Sequence, residues 1–353
     1  MRHRLLVVLV GAGVALGGLP AAVLPGASAA SRSEQEAQGL LESAARAGRV
    51  LTYSGTQYVA TWRDGGSAAA LVQVAHNPVD GPVVTPAVPA AAGGPLPMTS
   101  AATLDPRLLG RLASTYDLVL LDAERWAGRT ADVVEAQRPL GPVAGRFWVD
   151  RVTGLLLRRD LFDEQGSRIS SSAFLDVEVA DVEVGGAGAP APAPQVRPAG
   201  AGPESTSEPP LAVAQRLRAA GWEVPEALPG GFGLFDTRLD APSPGQEVLH
   251  LAYSDGLATM SLFVQVGRLG TAPPEGFTLE QVGGRPVWVH PEAPERVVWS
   301  GNCRVWTLVS DAPPAAVLAA VEALPRDPAP RTGLLARLGR GLARLAGMVV
   351  GSD

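Results

Sequence analysis

"RFWVDRVTGLLLRRDLFDEQG", residues 146–166, decides the fold. Asp150 to Gly154 and Asp163 to Gly166 have the makeup of two tight turns. In each, a short acid can bond local backbone N–H groups and a glycine supplies positive φ. Three strands follow from this punctuation, at about 144–149, 155–162 and 168–179. In the last, Ala173, Leu175, Val177 and Val179 alternate with Phe174, Asp176 and Glu178. That period of two belongs to an antiparallel meander with one buried face. Alternation puts Phe147 and Val149 on one side of the sheet, Arg146 and Trp148 on the other. It also predicts that Leu155, Leu157 and Leu161 share a face with Arg159, and Leu156 and Phe162 with Arg158 and Asp160. Neither face is wholly polar, which suits a sheet curved around a helix.

Upstream, residues 33–48 read as a short amphipathic helix with Leu40, Leu41 and Ala44 in its apolar stripe. "VLTYSGTQYVATW" and "AALVQVAH" form an aromatic hairpin across "RDGGS". The six prolines of residues 78–97 predict a surface loop without regular structure. Asp105-Pro106 opens a second short helix, and two further strands meet at Ala127-Gly128. Downstream, residues 185–210 are a Pro/Ala/Gly linker too poor in large apolar groups to fold. Beyond it "LAVAQRLRAAGW" reads as a helix. Strands follow in "PGGFGLFDTRLD", "QEVLHLAYSDG", "ATMSLFVQVGR", "GRPVWVHP", "ERVVWSGN" and "RVWTLVSD", then a closing helix in "APPAAVLAAVEALP". Both halves are therefore α+β and mainly antiparallel, unlike a Rossmann or TIM-type scaffold.

The chain of 353 residues is long enough for two cores. Arg2 and Arg4, an apolar run from Leu5 to about Leu24, and Ala27-Ser28-Ala29 read as a cleaved export signal over residues 1–29. A retained membrane anchor fits less well, because Gly17-Gly18 and Pro20 break the run. Cleavage removes two arginines and no acid, so a formal charge of −6 becomes more negative, which disfavours nucleic-acid binding. Cys303 is the only cysteine, so no internal disulfide is available, and its strand-side position predicts a buried small hydrophobe. The expected divisions are 1–29 signal, 30–184 first domain, 185–210 linker, 211–325 second domain and 326–353 tail.

That tail is basic and amphipathic. Leu334, Leu335, Leu338, Leu342, Leu345 and Val349 fall on one helical face, with Arg337, Arg340 and Arg344 beside them. Two readings stay open: a helix lying on an anionic membrane, or one docked on the second domain.

Catalytic constellations are missing from the sequence. There is no G-x-S-x-G elbow, H-E-x-x-H, P-loop or G-x-G-x-x-G fingerprint. His76, His250 and His290 each stand alone, so no metal is expected. Asp160, Asp163 and Glu164 could form an acid–base pair, but they flank a turn where acids serve local hydrogen bonding. The chain reads as a non-enzyme without a cofactor, and a secreted hydrolase is the weakest alternative.

Four stretches resemble the RseB/MucB family of sigma-E regulatory proteins: "YSGTQYV", "FWVDRVTGLLLRRDLFDEQG", "GWEVPEALPGGF" and "LHLAYSDGLATMSLFVQ". They occur in the family's order, across about residues 34–184 and 209–324; the proline-rich stretch 78–97 and the tail at 331–350 lie outside the pattern. The resemblance implies a first domain like the lipoprotein carriers LolA and LolB, an antiparallel half-barrel wrapped on helices around an apolar cavity, followed by a smaller α+β domain. It implies an extracytoplasmic protein, periplasmic or peripheral to the cytoplasmic membrane. Such a protein would bind a membrane-anchored, RseA-like anti-sigma factor, shield it from proteolysis, and be released by a lipid or lipoprotein signal. A lipid or lipoprotein carrier is the alternative. On either reading the cavity wall is expected from Tyr53, Tyr58, Trp62, Phe147, Trp148, Leu155, Leu157 and Phe162, and membrane contact from Leu334, Leu338, Leu342, Leu345, Arg337, Arg340 and Arg344.

Overall fold

The computed structural model describes residues 25–63, 66–87, 104–180, 210–241, 247–270, 274–290 and 295–328. The expected export signal, apart from its last five residues, lies outside them, as do nearly all of the linker and the amphipathic tail.

Helix α1 (Pro25–Val50) leads into strands β1 (Tyr53–Arg63), β2 (Gly66–Asn77) and β3 (Gly81–Pro86). After α2 (Pro106–Thr115) come β4 (Asp117–Trp126), β5 (Arg129–Gln137), β6 (Val143–Asp150), β7 (Leu156–Phe162) and β8 (Arg168–Val179). The first sheet is antiparallel at every pairing, in the order β3-β2-β1-β8-β7-β6-β5-β4. The second half contains α3 (Pro210–Ala219), β9 (Ala227–Leu228), β10 (Phe232–Asp240), β11 (Val248–Ser254), β12 (Thr259–Val266), β13 (Thr278–Val282), β14 (Arg285–His290), β15 (Glu295–Gly301), β16 (Arg304–Ser310) and α4 (Pro314–Ala323). Its sheet, also antiparallel, runs β13-β14-β15-β16-β12-β11-β10-β9. The fold is α+β with two antiparallel sheets, as the sequence predicts.

The turns that frame the opening stretch form as expected. Gly154 N–H bonds the Asp150 carbonyl at 2.8 Å, and Asp163 Oδ1 accepts from Gln165 and Ser167 N–H at 2.9 and 2.7 Å. The strict alternation does not survive. Trp148 pairs with Arg158 while Val149 pairs with Leu156, so Leu157 is an extra residue in a β-bulge. Leu156 therefore joins Phe147, Val149 and Leu161 in the core beneath α1 and α2, where Leu41 and Leu112 complete the packing. Leu157 joins Trp148 on the opposite face with Ala131 and Val133.

Two other expectations are corrected. The proline-rich stretch contributes a strand, β3, whose Pro82 and Pro86 pair with His76 and Val72. It lies at the sheet edge, where a missing N–H costs no ladder bond. Cys303 is exposed. Asn302 and Cys303 both have positive φ, 52° and 59°, and form the two-residue turn between β15 and β16, so the thiol projects from a hairpin tip.

Candidate functional site

Paired residues in a ladder share a face, so the register sorts the eight expected cavity residues. On the helix side, one row runs Val134, Phe147, Arg159, Ser172, Val59. Phe147 is fully buried there. Tyr53 lies on the same side of β1 and closes a second cluster with Leu155, Phe174, Val72 and Val74. On the other side, Tyr58 is in one row with Ala173, Arg158 and Trp148. Trp62 follows four residues along β1, and Leu157 reaches this side through the bulge. Phe162 is half-buried at the end of β7. The eight residues are thus divided between two faces of one sheet.

The helix side carries polar groups that the expected list missed. Gln57 and Thr61 fall in the buried phase of β1 with Tyr53 and Val59. Among the described residues, the Tyr53 hydroxyl, Gln57 Oε1 and Thr61 Oγ1 are buried and have no hydrogen-bond partner. The Tyr53 ring stacks on His76 at 5.0 Å and meets Phe174 edge-on at 6.0 Å, and burial pushes its pKa up to about 12. Orphaned polar atoms are costly in a core, and a row of them fits a site that meets a polar guest or water. The sequence signal was present: a glutamine and a threonine occupy the apolar phase of a strand.

The opposite face is a closed network. Arg158 lies between Trp126 and Trp148, its guanidinium 4.4 and 4.3 Å from the two rings. It also grips Asp160 through two hydrogen bonds of 3.1 and 2.5 Å. Asp160 accepts further from Ser171 Oγ at 2.7 Å and Arg168 Nη1 at 3.3 Å, and Arg168 lies 5.1 Å from the Trp62 ring. Trp148 Nε1 donates to Glu124 and Trp126 Nε1 to the Phe174 carbonyl, both at 2.8 Å. With these partners Asp160 is a structural anion, and Asp163 is committed to its turn. Among the described residues no cluster of His, Cys, Asp and Glu could hold a metal.

A third feature joins the two sheets. The β11–β12 turn enters the first domain at the end of α2. Tyr116 Oη donates to Asp255 Oδ2 at 2.6 Å, with both residues buried. Asp255 Oδ1 accepts the N–H groups of Leu257 and Ala258, each at 2.8 Å. Gly256 has φ +100° and rests on the backbone of Leu112, leaving no room for a Cβ. Leu257 belongs to the first domain's core and packs so closely on Gly145 that a Cβ there would lie 2.9 Å from it. Arg159 donates to the Leu257 carbonyl, and Arg63 donates to the carbonyls of Asp311 and Ala312 at 3.2 and 3.4 Å. Burial raises the pKa of Tyr116 and of Asp255; for Asp255 it outweighs the opposing hydrogen bonds from Tyr116 and two backbone N–H groups. Burial works against the Arg159 charge, while Asp311 and Asp255 support it.

Residues 89–199 match the family model of the MucB/RseB N-terminal domain, so the resemblance seen in the motifs holds across the stretch that contains residues 146–166. No curated protein matches the chain. Among solved structures the chain is similar to MucB in complex with MucA(peri), at 23% identity over 82% of this chain and 99% of that one, with a TM-score of 0.44. It is similar to the Pseudomonas aeruginosa MucA/MucB complex at 24% identity, 83% and 99% coverage and TM-score 0.42. A LolA superfamily protein, NE2245 from Nitrosomonas europaea, matches at 11% identity, 42% and 94% coverage and TM-score 0.19.

Proposed function

We propose that this chain, whose first domain carries the MucB/RseB match, is an exported, non-enzymatic regulator acting outside the cytoplasmic membrane. It binds the extracytoplasmic part of a membrane-anchored anti-sigma factor, shields that factor from proteolysis and releases it when an amphiphile arrives. The family match over residues 89–199 is the observation that carries this reading. The site supports it in two ways. Asp160 and Asp163, the nearest candidates for an acid–base pair, are committed to arginines, a serine and a turn. Tyr53, Gln57 and Thr61 leave hydrogen-bonding capacity on the helix side of β1, beside the apolar Val72, Val74 and Phe174. That mixture fits an acyl chain with a polar head.

The test is a binding titration against the extracytoplasmic segment of an RseA-like anti-sigma factor from the same genome, followed by protease challenge of that segment. Micromolar binding with slowed cleavage is expected, and no binding at that concentration would overturn the proposal. The polar row on β1 also fits a second reading, carriage of a lipid or lipoprotein. Native mass spectrometry of detergent-free protein separates the two: a stoichiometric lipid on a chain that ignores the anti-sigma segment means carriage.

A further inference from the structure

Three side chains on the helix side of β1 are enclosed without being bonded. Tyr53, Gln57 and Thr61 are only 2, 1 and 5% exposed. Yet the Tyr53 hydroxyl, Gln57 Oε1 and Thr61 Oγ1 have no hydrogen-bond partner among the described residues. Gln57 is the sharpest case. In the ladder it lies between Val72 of β2 and Phe174 of β8, and Val59 follows two residues along the same side. Leu155 and Val74 extend this apolar ground around Phe174 and Val72. An unpaired amide in such a setting costs stability that a leucine of similar size would not. A guest that bonds it accounts for its place in the apolar phase of the strand.

We propose that this row receives the head of an uncharged, hydroxyl-bearing amphiphile of the acylglycerol class, its acyl chain against Val72, Val74, Leu155 and Phe174. This rests on the proposed release by an amphiphile and names the kind of head. Two features select it. The first is hydrogen-bonding capacity. Gln57 Oε1 can only accept, while the hydroxyls of Tyr53 and Thr61 can donate or accept. A hydroxyl guest answers all three. An ionised carboxylate or phosphate offers acceptors, and would set one oxygen against another at Gln57. The second feature is charge. The ladder neighbours of Tyr53 and Gln57 are His76, Val179, Val72 and Phe174, with no arginine or lysine among them. Burial alone raises the Tyr53 pKa, with no cation among the described residues working against it. Arg63, two residues beyond Thr61, bonds the carbonyls of Asp311 and Ala312. Arg159, two strands away in the row of Val59, bonds the Leu257 carbonyl and has Asp311 and Asp255 as its counter-charges. An anionic head at Gln57 would therefore be buried without a cation, which is strongly unfavourable.

The test titrates the full chain with probes that share one lauroyl chain, each below its micelle concentration. They are monolauroylglycerol, methyl laurate, which has no donor, and lauroylglycerol phosphate, which is anionic. Monolauroylglycerol should bind about tenfold or more tightly than either. Gln57→Leu should bring its affinity down to that of methyl laurate, while the melting temperature holds or rises because the unpaired amide is gone. Equal or tighter binding of the phosphate or the methyl ester would overturn the inference, as would unchanged monolauroylglycerol binding in Gln57→Leu. So would no binding of any probe, which would leave ordered water as the partner of the row. The anti-sigma titration is read separately. A chain that binds that segment but no monolauroylglycerol loses this inference alone; a chain that binds monolauroylglycerol but not the segment loses the regulator and keeps the head group.

Discussion

Tyr116 at the end of α2 and Asp255 in the β11–β12 turn, 139 positions apart, share a hydrogen bond of 2.6 Å that is buried from solvent. Replacing Tyr116 with Phe removes the donor and leaves a carboxylate oxygen enclosed without it. We expect a loss of about 1–3 kcal/mol, read in urea unfolding of the whole chain. An unchanged midpoint would mean that water reaches Asp255 freely.

The same pair predicts a pH dependence with a definite sign. Burial raises the Asp255 pKa above its unfolded value, so the folded state holds the proton more tightly. Its contribution is therefore fully present below the ordinary carboxylate range and declines as pH rises through the raised pKa. The stability difference between wild type and Asp255→Asn should shrink as pH climbs from about 4. Denaturant melts across the acidic range would check this, and a difference that grows with pH would refute it.

Gly256→Ala should separate the domains without unfolding either. The new Cβ meets the Leu112 backbone, and φ +100° is strained for alanine. Small-angle scattering should report a larger radius of gyration, and residues 185–210, where the sequence predicts a linker, should be cut faster by protease. A compact, resistant variant would show that α2 can shift to admit the methyl group.

On the other side of the first sheet, Arg158→Leu should cost about 2 kcal/mol or more, from the lost cation–π stacking and the weakened pairing of buried Asp160. Asp160 keeps Arg168 and Ser171, which places the loss below that of a fully orphaned charge. Arg158→Lys should recover part of it, because an ammonium cannot fill both the two-tryptophan slot and the bidentate contact. Tryptophan fluorescence and thermal melts would follow both variants.

Much of this was legible in the sequence, for a local reason. Asp150, Gly154, Asp163 and Gly166 fix their turns through bonds to residues within five positions, and short-range chemistry can be read directly. The bulge at Leu157 could not be read, because it depends on register between strands; it moves Leu156 and Leu157 to opposite sides from those that alternation predicts. The strands on either side of Asp255 were legible, but not its pairing with Tyr116. Gln57 and Thr61 showed only as misplaced polar residues in a strand. Their significance emerges once the structure shows that Gln57 Oε1 and Thr61 Oγ1 are buried with no hydrogen-bond partner among the described residues.

The wedge at Ser254–Ala258 is the tip of the hairpin formed by β11 and β12, and these are interior strands of the second sheet. An edge hairpin could peel away alone. This one cannot, because β10 and β16 hold it on either side. Force applied at the tip is therefore carried into the middle of the second sheet, which must swing as a rigid lever or lose its central ladder. A guest that loosens the first domain around Leu112 and Gly145 would, by the same linkage, move everything attached to the second.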